Sequence, residues 1–256
     1  MKIDHYKYCL IIPTYNNEKT LKRVIDGVLL HFAGEDIIII NDGATDSTAS
    51  ILKEYKEIKQ IHLPKNKGKG NALRLGFRKA LDEGYTHAIT IDSDGQHFPE
   101  DIPTLLEASK GKPNTLFIGS RNMKQEGVPG KSSFGNKFSN FWFWFETGIK
   151  LTDTQSGFRV YPLYLMSNKW YTTKFEFEIE AIVRSAWKDI PVENVPIQIK
   201  YDPEERVSHF RPFKDFTRIS ILNTVLVFIT LTYILPYNFI KSFKKKSSRT
   251  LLEKTY

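Results

Sequence analysis

Four consecutive isoleucines at residues 37–40 constrain the fold of this chain more than any other feature. β-Branched side chains favour strands, and an unbroken apolar run is typical of a strand buried on both faces of a parallel sheet. The run ends in a polar turn, Asn-Asp-Gly, at residues 41–43. Apolar runs at residues 8–13 and 87–91 also give way to polar residues. The chain is therefore predicted to contain buried strands that end in polar turns.

Segments with helical periodicity separate these strands. Apolar side chains recur at helical spacing in residues 17–32 and 70–83, and Asp46 or Ser47 can cap a helix that runs to residue 57. Further strands are predicted at residues 61–63, 115–120, 155–161 and 197–201, and further helices at 134–149 and 178–188. This alternation predicts an α/β fold with a mostly parallel central sheet and helices on both faces. Such sheets bind ligands beyond the carboxyl ends of their strands.

Two carboxylates, Asp92 and Asp94, follow the predicted strand at residues 87–91. Hard divalent cations prefer oxygen ligands and bind through one or two carboxylates plus substrate phosphates. Gln96 supplies a further oxygen two positions later. Because Asp-x-Asp is a short motif, a solvated acidic turn is the alternative. The other polar turns favour a metal site, since residues 13–15, 41–43 and 66–70 are predicted to lie at the same sheet edge.

The turn at residues 66–70 reads Asn-Lys-Gly-Lys-Gly. Its glycines would let backbone N–H groups approach an oxyanion, and its lysines would neutralise that anion. A diphosphate bridged to a metal ion is the ligand that this combination indicates, with Asp42 as a third carboxylate nearby. The alternative is a flexible, solvated loop, because lysine and glycine are common in such loops.

The formal net charge of +8 fits nucleic acid, an anionic membrane or phosphorylated substrates. Its distribution favours the membrane, because basic residues crowd both sides of the uncharged apolar segment at residues 219–240. They are Arg206, Arg211, Lys214 and Arg218 before the segment, and Lys241, Lys244, Lys245, Lys246 and Arg249 after it. We therefore expect a membrane surface as a partner and no nucleic acid.

The apolar segment is about the length needed to cross a bilayer, roughly 20 residues. Pro236 interrupts its pattern, and basic flanks on both sides conflict with the positive-inside rule for one crossing. A single span and a monotopic anchor both remain open. The predicted division is a catalytic domain at residues 1–212 and an anchor with a tail at 213–256.

The predicted helix at residues 134–149 is rich in aromatic side chains. It could lie at a membrane interface, fill the core or form a dimer contact, which leaves a homo-oligomer open. The preceding residues, 122–133, are predicted to form a mobile loop. The single cysteine, Cys9, excludes an intrachain disulfide, and the N-terminus does not resemble a secretory signal, so we expect the cytoplasmic face of the cell membrane.

In order along the chain, the polar turns resemble those of glycosyltransferase family 2 enzymes with the GT-A fold, particularly enzymes similar to polyprenyl- or dolichyl-phosphate sugar synthases. The resemblance covers most of the chain and is most specific at the Asp-Ser-Asp-Gly-Gln-His signature. It is carried by residues 11–18, 41–46, 66–72, 92–97 with Pro99 and Glu100, 119–121, and 153–159.

This resemblance implies a nucleotide-sugar donor and a divalent cation, Mg²⁺ or Mn²⁺. The residues that would hold the base, ribose and phosphates are Pro13, Tyr15, Glu18, Asp42, Lys69 and Asp92. Those that would hold the metal are Asp92, Asp94 and Gln96. Family enzymes of this kind invert the anomeric carbon in one displacement, and the cation stabilises the departing nucleoside diphosphate.

The acceptor decides which further residues matter. A lipid phosphate is already ionised and needs cationic partners, for which the candidates are Arg121, Arg159 and Arg206. A sugar hydroxyl needs a general base, for which Asp153 is the candidate. Asp94, Asp153 and Arg121 are thus the predicted catalytic residues, and Glu180 matches a helix glutamate of the family.

A polyprenyl phosphate is the favoured acceptor. The alternatives are a glycan or glycolipid hydroxyl, because residues 206–209, Arg-Val-Ser-His, depart from the Arg-Gly-x-Ser-Lys pattern of the lipid-phosphate synthases. A membrane-bound scaffold that only binds nucleotide sugars is the non-enzymatic alternative. The sequence does not specify the sugar or the base.

Overall fold

The isoleucine run forms one strand of a seven-stranded, mostly parallel sheet. The structure, a computed structural model, describes residues 6–122, 130–200 and 211–241. The strands are β1 (Tyr8–Thr14), β2 (Ile37–Asn41), β3 (Lys59–His62), β4 (His87–Thr90), β5 (Leu116–Arg121), β6 (Arg159–Pro162) and β7 (Val192–Ile197). They lie in the order β3-β2-β1-β4-β6-β5-β7. Only β6 is antiparallel to its neighbours, β4 and β5.

Helices cover both faces of this sheet. They are α1 (Glu18–Leu29), α2 (Thr48–Leu52), α3 (Lys69–Asp82), α4 (Ile102–Gly111), α5 (Gly130–Thr147), α6 (Glu176–Ala186) and α7 (Pro212–Ile229). The isoleucines of β2 are all buried and alternate between two hydrophobic cores. Ile37 and Ile39 pack on the side of α1 and α4, and Ile38 and Ile40 on the side of α3 and α6. The predicted α/β architecture is confirmed.

Two elements differ from the sequence prediction. The strand predicted at residues 197–201 lies earlier, as β7, where it pairs in parallel with β5. Pro196 obscures this strand in the sequence, but β7 is at the sheet edge, where a missing N–H is tolerated. The helix predicted to reach residue 57 ends at Leu52. Most of the predicted loop at 122–133 lies outside the described residues, and α5 begins at Gly130.

A long apolar helix ends the described chain. It covers Phe213–Lys241, contains an 18-residue stretch with a mean hydropathy of 2.0, and is long and apolar enough to cross a membrane. Pro236 does not end it, because the preceding turn, Thr230–Ile234, is π-helical. Such a wide turn accommodates a proline, which lacks an N–H and crowds the carbonyl four residues earlier. The basic tail beyond Lys241 lies outside the described residues.

A buried acid lies where α5 meets this helix. Glu146 is 2% exposed, and within the described part of the chain neither of its carboxylate oxygens has a hydrogen-bond partner. The hydroxyl of Thr230 donates to its backbone oxygen at 3.4 Å. Burial raises the pKa of Glu146 from 4.5 to about 8. The folded protein therefore keeps this carboxyl protonated at pH values where the unfolded chain has released the proton.

Stability should fall as pH rises from about 4.5 to about 8, because the unfolded state binds fewer protons than the folded state in this window. We expect Glu146→Gln to remove most of this loss, so that the variant is more stable than the wild type at pH 8 by a few kcal/mol and similar to it at pH 5. Urea unfolding at both pH values measures the difference. An equal difference at both pH values would contradict the buried, protonated carboxyl.

Candidate active site

The polar turns converge on a cavity of about 630 Å³ at the carboxyl edge of the sheet. Eight of the predicted site residues line it: Pro13, Tyr15, Asp42, Lys69, Asp92, Asp94, Gln96 and Arg121. They come from the ends of β1, β2, β4 and β5 and from the first turn of α3. The parallel strands explain this convergence, because their carboxyl ends lie along one edge.

A half-buried cation lies between two carboxylates on the floor of this cavity. The ammonium nitrogen of Lys69 is 2.7 Å from Asp92 Oδ1 and 2.8 Å from Glu178 Oε2. Burial alone would lower the pKa of Lys69, but the charges of Asp92 and Glu178 raise it. Burial likewise raises the pKa of Asp92, but Lys69, His97 and Arg159 together lower it below its ordinary value. Lys69, which contributes both charge and a hydrogen bond, is the main partner that keeps Asp92 ionised.

A glycine makes room for this ion pair. A Cβ atom on Gly157 would lie 2.3 Å from Asp92 Oδ2 and 2.6 Å from Lys69 Nζ. Both distances are far below a van der Waals contact, so any side chain here would displace the pair. Gly157 precedes β6 and is also held by its carbonyl oxygen, which accepts the Thr90 hydroxyl at 2.7 Å. This contact explains why a glycine occupies the loop before β6.

Asp94 and Gln96 lie beside the ion pair in the same turn. The backbone N–H of Gln96 donates to Asp94 Oδ1 at 3.0 Å. Burial and the negative charge of Asp92 raise the pKa of Asp94 to about 6. Two carboxylates that repel each other in one cavity are stabilised by a divalent cation, so the donor set fits Mg²⁺ or Mn²⁺. Because the described residues contain no cluster of three or more His, Cys, Asp or Glu that could hold a metal, such a cation would need substrate oxygens as well.

Arg121 lies at the wall of the cavity and is held there by Asp153. The guanidinium Nε and Nη2 donate to the two oxygens of Asp153 at 2.6 and 3.0 Å. Asp153 is fully buried and also accepts from the side chain of Asn136 at 2.7 Å. Burial raises the pKa of Asp153, but the bonds and charge of Arg121 lower it more. Asp153 is thus an ionised anchor for Arg121 and does not line the cavity.

Two predicted nucleotide contacts also organise the turns. Asp42 accepts the backbone N–H groups of Lys67 and Gly68 at 2.8 and 2.7 Å, which fixes the turn that opens α3. Glu18 accepts the N–H of Ser47 at 2.9 Å and does not line the cavity. Asp42 therefore fixes this turn and also lines the cavity, whereas Glu18 does not line it.

Comparison with known proteins identifies the family. The sequence profile described as glycosyl transferase family 2 matches residues 9–172. The chain belongs to glycosyltransferase family 2. It is 31% identical to a UDP-N-acetylglucosamine–dolichyl-phosphate N-acetylglucosaminyltransferase of Methanococcus voltae, over 75% of this chain and 85% of that protein. It is also 28% identical to a polyprenol monophosphomannose synthase of Mycolicibacterium smegmatis, over 73% and 75% of the two chains.

Solved structures confirm the GT-A fold of this glycosyltransferase. A glucosyl-3-phosphoglycerate synthase of Mycobacterium tuberculosis, crystallised with Mn²⁺, UDP-glucose and phosphoglyceric acid, superimposes with a TM-score of 0.66 at 17% identity. The match covers 88% of this chain and 80% of that one. At this identity the likeness describes the fold, and the roles of individual residues are argued from their geometry.

Arg159, one of the three arginines proposed to bind an acceptor phosphate, does not line the glycosyltransferase cavity. Arg159 is fully buried, and its guanidinium donates to the carbonyl oxygens of Ser156, Thr154 and Glu178 at 2.6, 2.9 and 2.8 Å. Its position at the start of the antiparallel strand β6 directs it into the protein. Arg206 lies outside the described residues. Of these three candidates, Arg121 is the one that the described residues place at the cavity.

The glycosyltransferase cavity also contains residues that the sequence analysis missed. They are Asn17, His97, Lys174, Phe175, Glu178 and Arg211, among others. Glu178 was missed because the neighbouring Glu180 matches the family. Glu180 instead accepts the backbone N–H groups of Tyr171 and Thr172 at 3.2 and 2.9 Å, which holds the loop before α6. An acidic residue between the apolar Phe177 and Ile179 was the available signal for Glu178.

Proposed function

We propose that this glycosyltransferase transfers a sugar from a nucleoside-diphosphate sugar to the phosphate of a membrane polyprenyl lipid, with inversion and with a divalent cation. The observation that carries the proposal is the Arg121–Asp153 pair at the cavity that also contains Asp92, Asp94 and Lys69. In this pair, the Arg121 guanidinium is a fixed cation at the edge of the proposed donor site, and Asp153 is not available as a base. The named functions of the two relatives support the same acceptor class.

The donor would bind along the carboxyl edge of the sheet. Pro13, Tyr15 and Asp42 lie on one side and suit the base and ribose, while Lys69 suits the diphosphate. Asp92, Asp94 and Gln96 would hold the cation. A bound Mg²⁺ or Mn²⁺ would neutralise the charge that develops on the departing nucleoside diphosphate.

The Arg121–Asp153 pair favours a phosphate acceptor over a hydroxyl acceptor. A hydroxyl acceptor must lose a proton, but Asp153 is buried, ionised and engaged by Arg121 and Asn136. A lipid phosphate is ionised at neutral pH and needs only a positive group that positions it. Arg121 supplies such a group, and its bidentate ion pair fixes its orientation in advance.

The apolar C-terminal helix supports attachment to a membrane that contains the lipid acceptor. We place the enzyme at the cytoplasmic face of that membrane, in keeping with a single buried cysteine and no disulfide among the described residues. We also propose that residues 1–212 supply the catalytic machinery and that the anchor begins near residue 213. The sharp start of α7 at Pro212 agrees with this division.

The proposal is tested with membranes that contain the full-length protein, incubated with a panel of labelled nucleotide sugars. We expect one donor to give a lipid-extractable product that requires Mn²⁺ or Mg²⁺ and is absent from membranes without the protein. In parallel, UDP or GDP with Mn²⁺ should raise the melting temperature of the purified protein. A nucleotide-dependent rise without transfer to any lipid or glycan would favour a binding scaffold.

A further inference from the structure

The C-terminal helix, Phe213–Lys241, has two different flanks. One flank is buried against α5 and α6 through residues three or four positions apart: Asp215, Ile219, Asn223, Leu226 and Thr230. The other flank exposes large apolar side chains, including Phe213, Ile221, Val225, Phe228, Leu231 and Leu235. A helix surrounded by lipid would not bury polar side chains on one side only. The helix is therefore docked on the catalytic domain from Asp215 to Thr230.

Both ends of this helix contact the catalytic domain. Near its start, the rings of Phe216 and Phe138 are 5.2 Å apart. At its end, Lys241 Nζ is 2.7 Å from Asp189, a residue in the turn after α6. This exposed ion pair contributes little energy, but it reports where the end of the helix lies. A helix with both ends beside one polar domain cannot have them on opposite sides of a bilayer.

Helix α5 adds a second apolar surface next to the first. It contacts the C-terminal helix through Phe138 and Glu146. Its outer side exposes Phe134, Phe141, Trp144 and Phe145, whose rings, apart from that of Phe134, pack on one another. Large exposed aromatic side chains on neighbouring helices are typical of a surface that enters the headgroup region of a membrane.

Positive charge borders this apolar surface at the mouth of the active site. A second cavity, of about 470 Å³, is lined by Lys174, Arg211, Phe213, Lys214, Thr217 and Arg218. It shares Lys174 and Arg211 with the donor cavity. The one acidic side chain of the C-terminal helix, Asp215, is buried and paired with Arg211 at 3.0 Å. Anionic lipid headgroups therefore complement this border.

We infer that the C-terminal helix does not cross the bilayer but lies with α5 in the headgroup region of one leaflet that contains anionic lipids. This arrangement explains the basic residues at both ends of an apolar helix, because both ends then lie on the same side. It also places the mouth of the donor cavity next to the lipid surface. The inference concerns attachment and holds whichever sugar or acceptor the enzyme uses.

Spin labels on the full-length protein test this arrangement in vesicles of phosphatidylcholine and phosphatidylglycerol. Nitroxides are attached to Ile221→Cys, Leu235→Cys and Trp144→Cys, since the native Cys9 is buried. We expect oxygen and nickel accessibilities that place all three labels at similar, shallow depths, about 5–10 Å below the phosphates. A crossing helix would instead separate the labels at 221 and 235 by up to about 21 Å in depth, which would overturn the inference.

A labelling experiment also distinguishes a surface helix from a membrane span. Asn238→Cys, in protein added to sealed vesicles, should react with an impermeant maleimide, whereas protection of this site would indicate a span. Spin labels that couple to one another, and whose accessibilities do not change when vesicles are added, would indicate a second copy of the protein on the apolar surface and would overturn the inference.

The anionic border is tested separately by charge reversal. Lys214→Glu with Arg218→Glu should weaken binding to anionic vesicles at least about tenfold. The matched reversal of exposed Lys53 and Lys56 should not, and equal binding by both double variants would contradict the anionic border.

Discussion

Asp94→Ala should reduce sugar transfer by about three orders of magnitude or more while the protein still folds. Asp94 and Asp92 are the two carboxylates that would hold the cation, and loss of a cation ligand removes charge stabilisation that acts mainly in the transition state. The fold should survive, because the variant removes the repulsion between Asp92 and Asp94. This repulsion helps to raise the pKa of Asp94 to about 6. Steady-state transfer with labelled donor measures the loss.

The control for this prediction is Asp82→Ala, which removes an exposed carboxylate at the end of α3. It should leave transfer and the melting temperature unchanged. Titration of Mn²⁺ against the melting temperature with UDP present gives a second readout, and the midpoint should move to higher Mn²⁺ in the Asp94 variant. Normal transfer by Asp94→Ala would exclude the proposed cation site.

Lys69→Met should destabilise the protein by about 3 kcal/mol, because it leaves the buried Glu178 and the half-buried Asp92 without their shared cation. Glu178→Gln should recover part of this loss when it is combined with Lys69→Met, since one of the two unpaired charges is then removed. Transfer should fall about a hundredfold in Lys69→Met, because the diphosphate loses a positioned positive group. Urea unfolding of the two single variants and the double variant measures the coupling.

A second ion pair on the same helix is the matched control. Lys79 and Glu83 are 2.9 Å apart, and the Lys79 side chain is 45% exposed. Lys79→Met should therefore cost less than about 1 kcal/mol. If Lys69→Met cost no more than Lys79→Met, or if Glu178→Gln gave no recovery, the energetic coupling of Lys69 to Asp92 and Glu178 would be contradicted.

The sequence predicts the site residues at the strand ends better than those that reach the site through tertiary contacts. The strand ends that carry Asp42, Asp92 and Asp94 follow from unbroken apolar runs, because parallel strands bring such turns to one edge. The ligand class follows from the chemistry of those turns together with the resemblance to the family. Gly157 could not have been explained in this way, since its role depends on a contact with Asp92 from a distant part of the chain.

Side-chain direction limits what the sequence can predict about arginines and acids. Arg121 and Arg159 have the same chemistry and both belong to matched motifs, but one lines the cavity and the other is buried behind it. The difference arises from the antiparallel insertion of β6, which periodicity does not reveal. Glu178 and Glu180 differ in the same way, because the partner of each is set by how α6 packs. For the apolar helix, the sequence predicts the end to within one residue, but the helix begins at Phe213 and not at Ile219, and its docked flank is not predicted.

The most direct test of the lipid-phosphate acceptor is the bond in the product. The purified protein, with its best nucleotide sugar and Mn²⁺, is given equal amounts of a polyprenyl phosphate and the corresponding polyprenol, and the lipid products are examined by mass spectrometry. We predict that the sugar is joined only to the phosphate. A sugar joined to the polyprenol hydroxyl would contradict the proposed function.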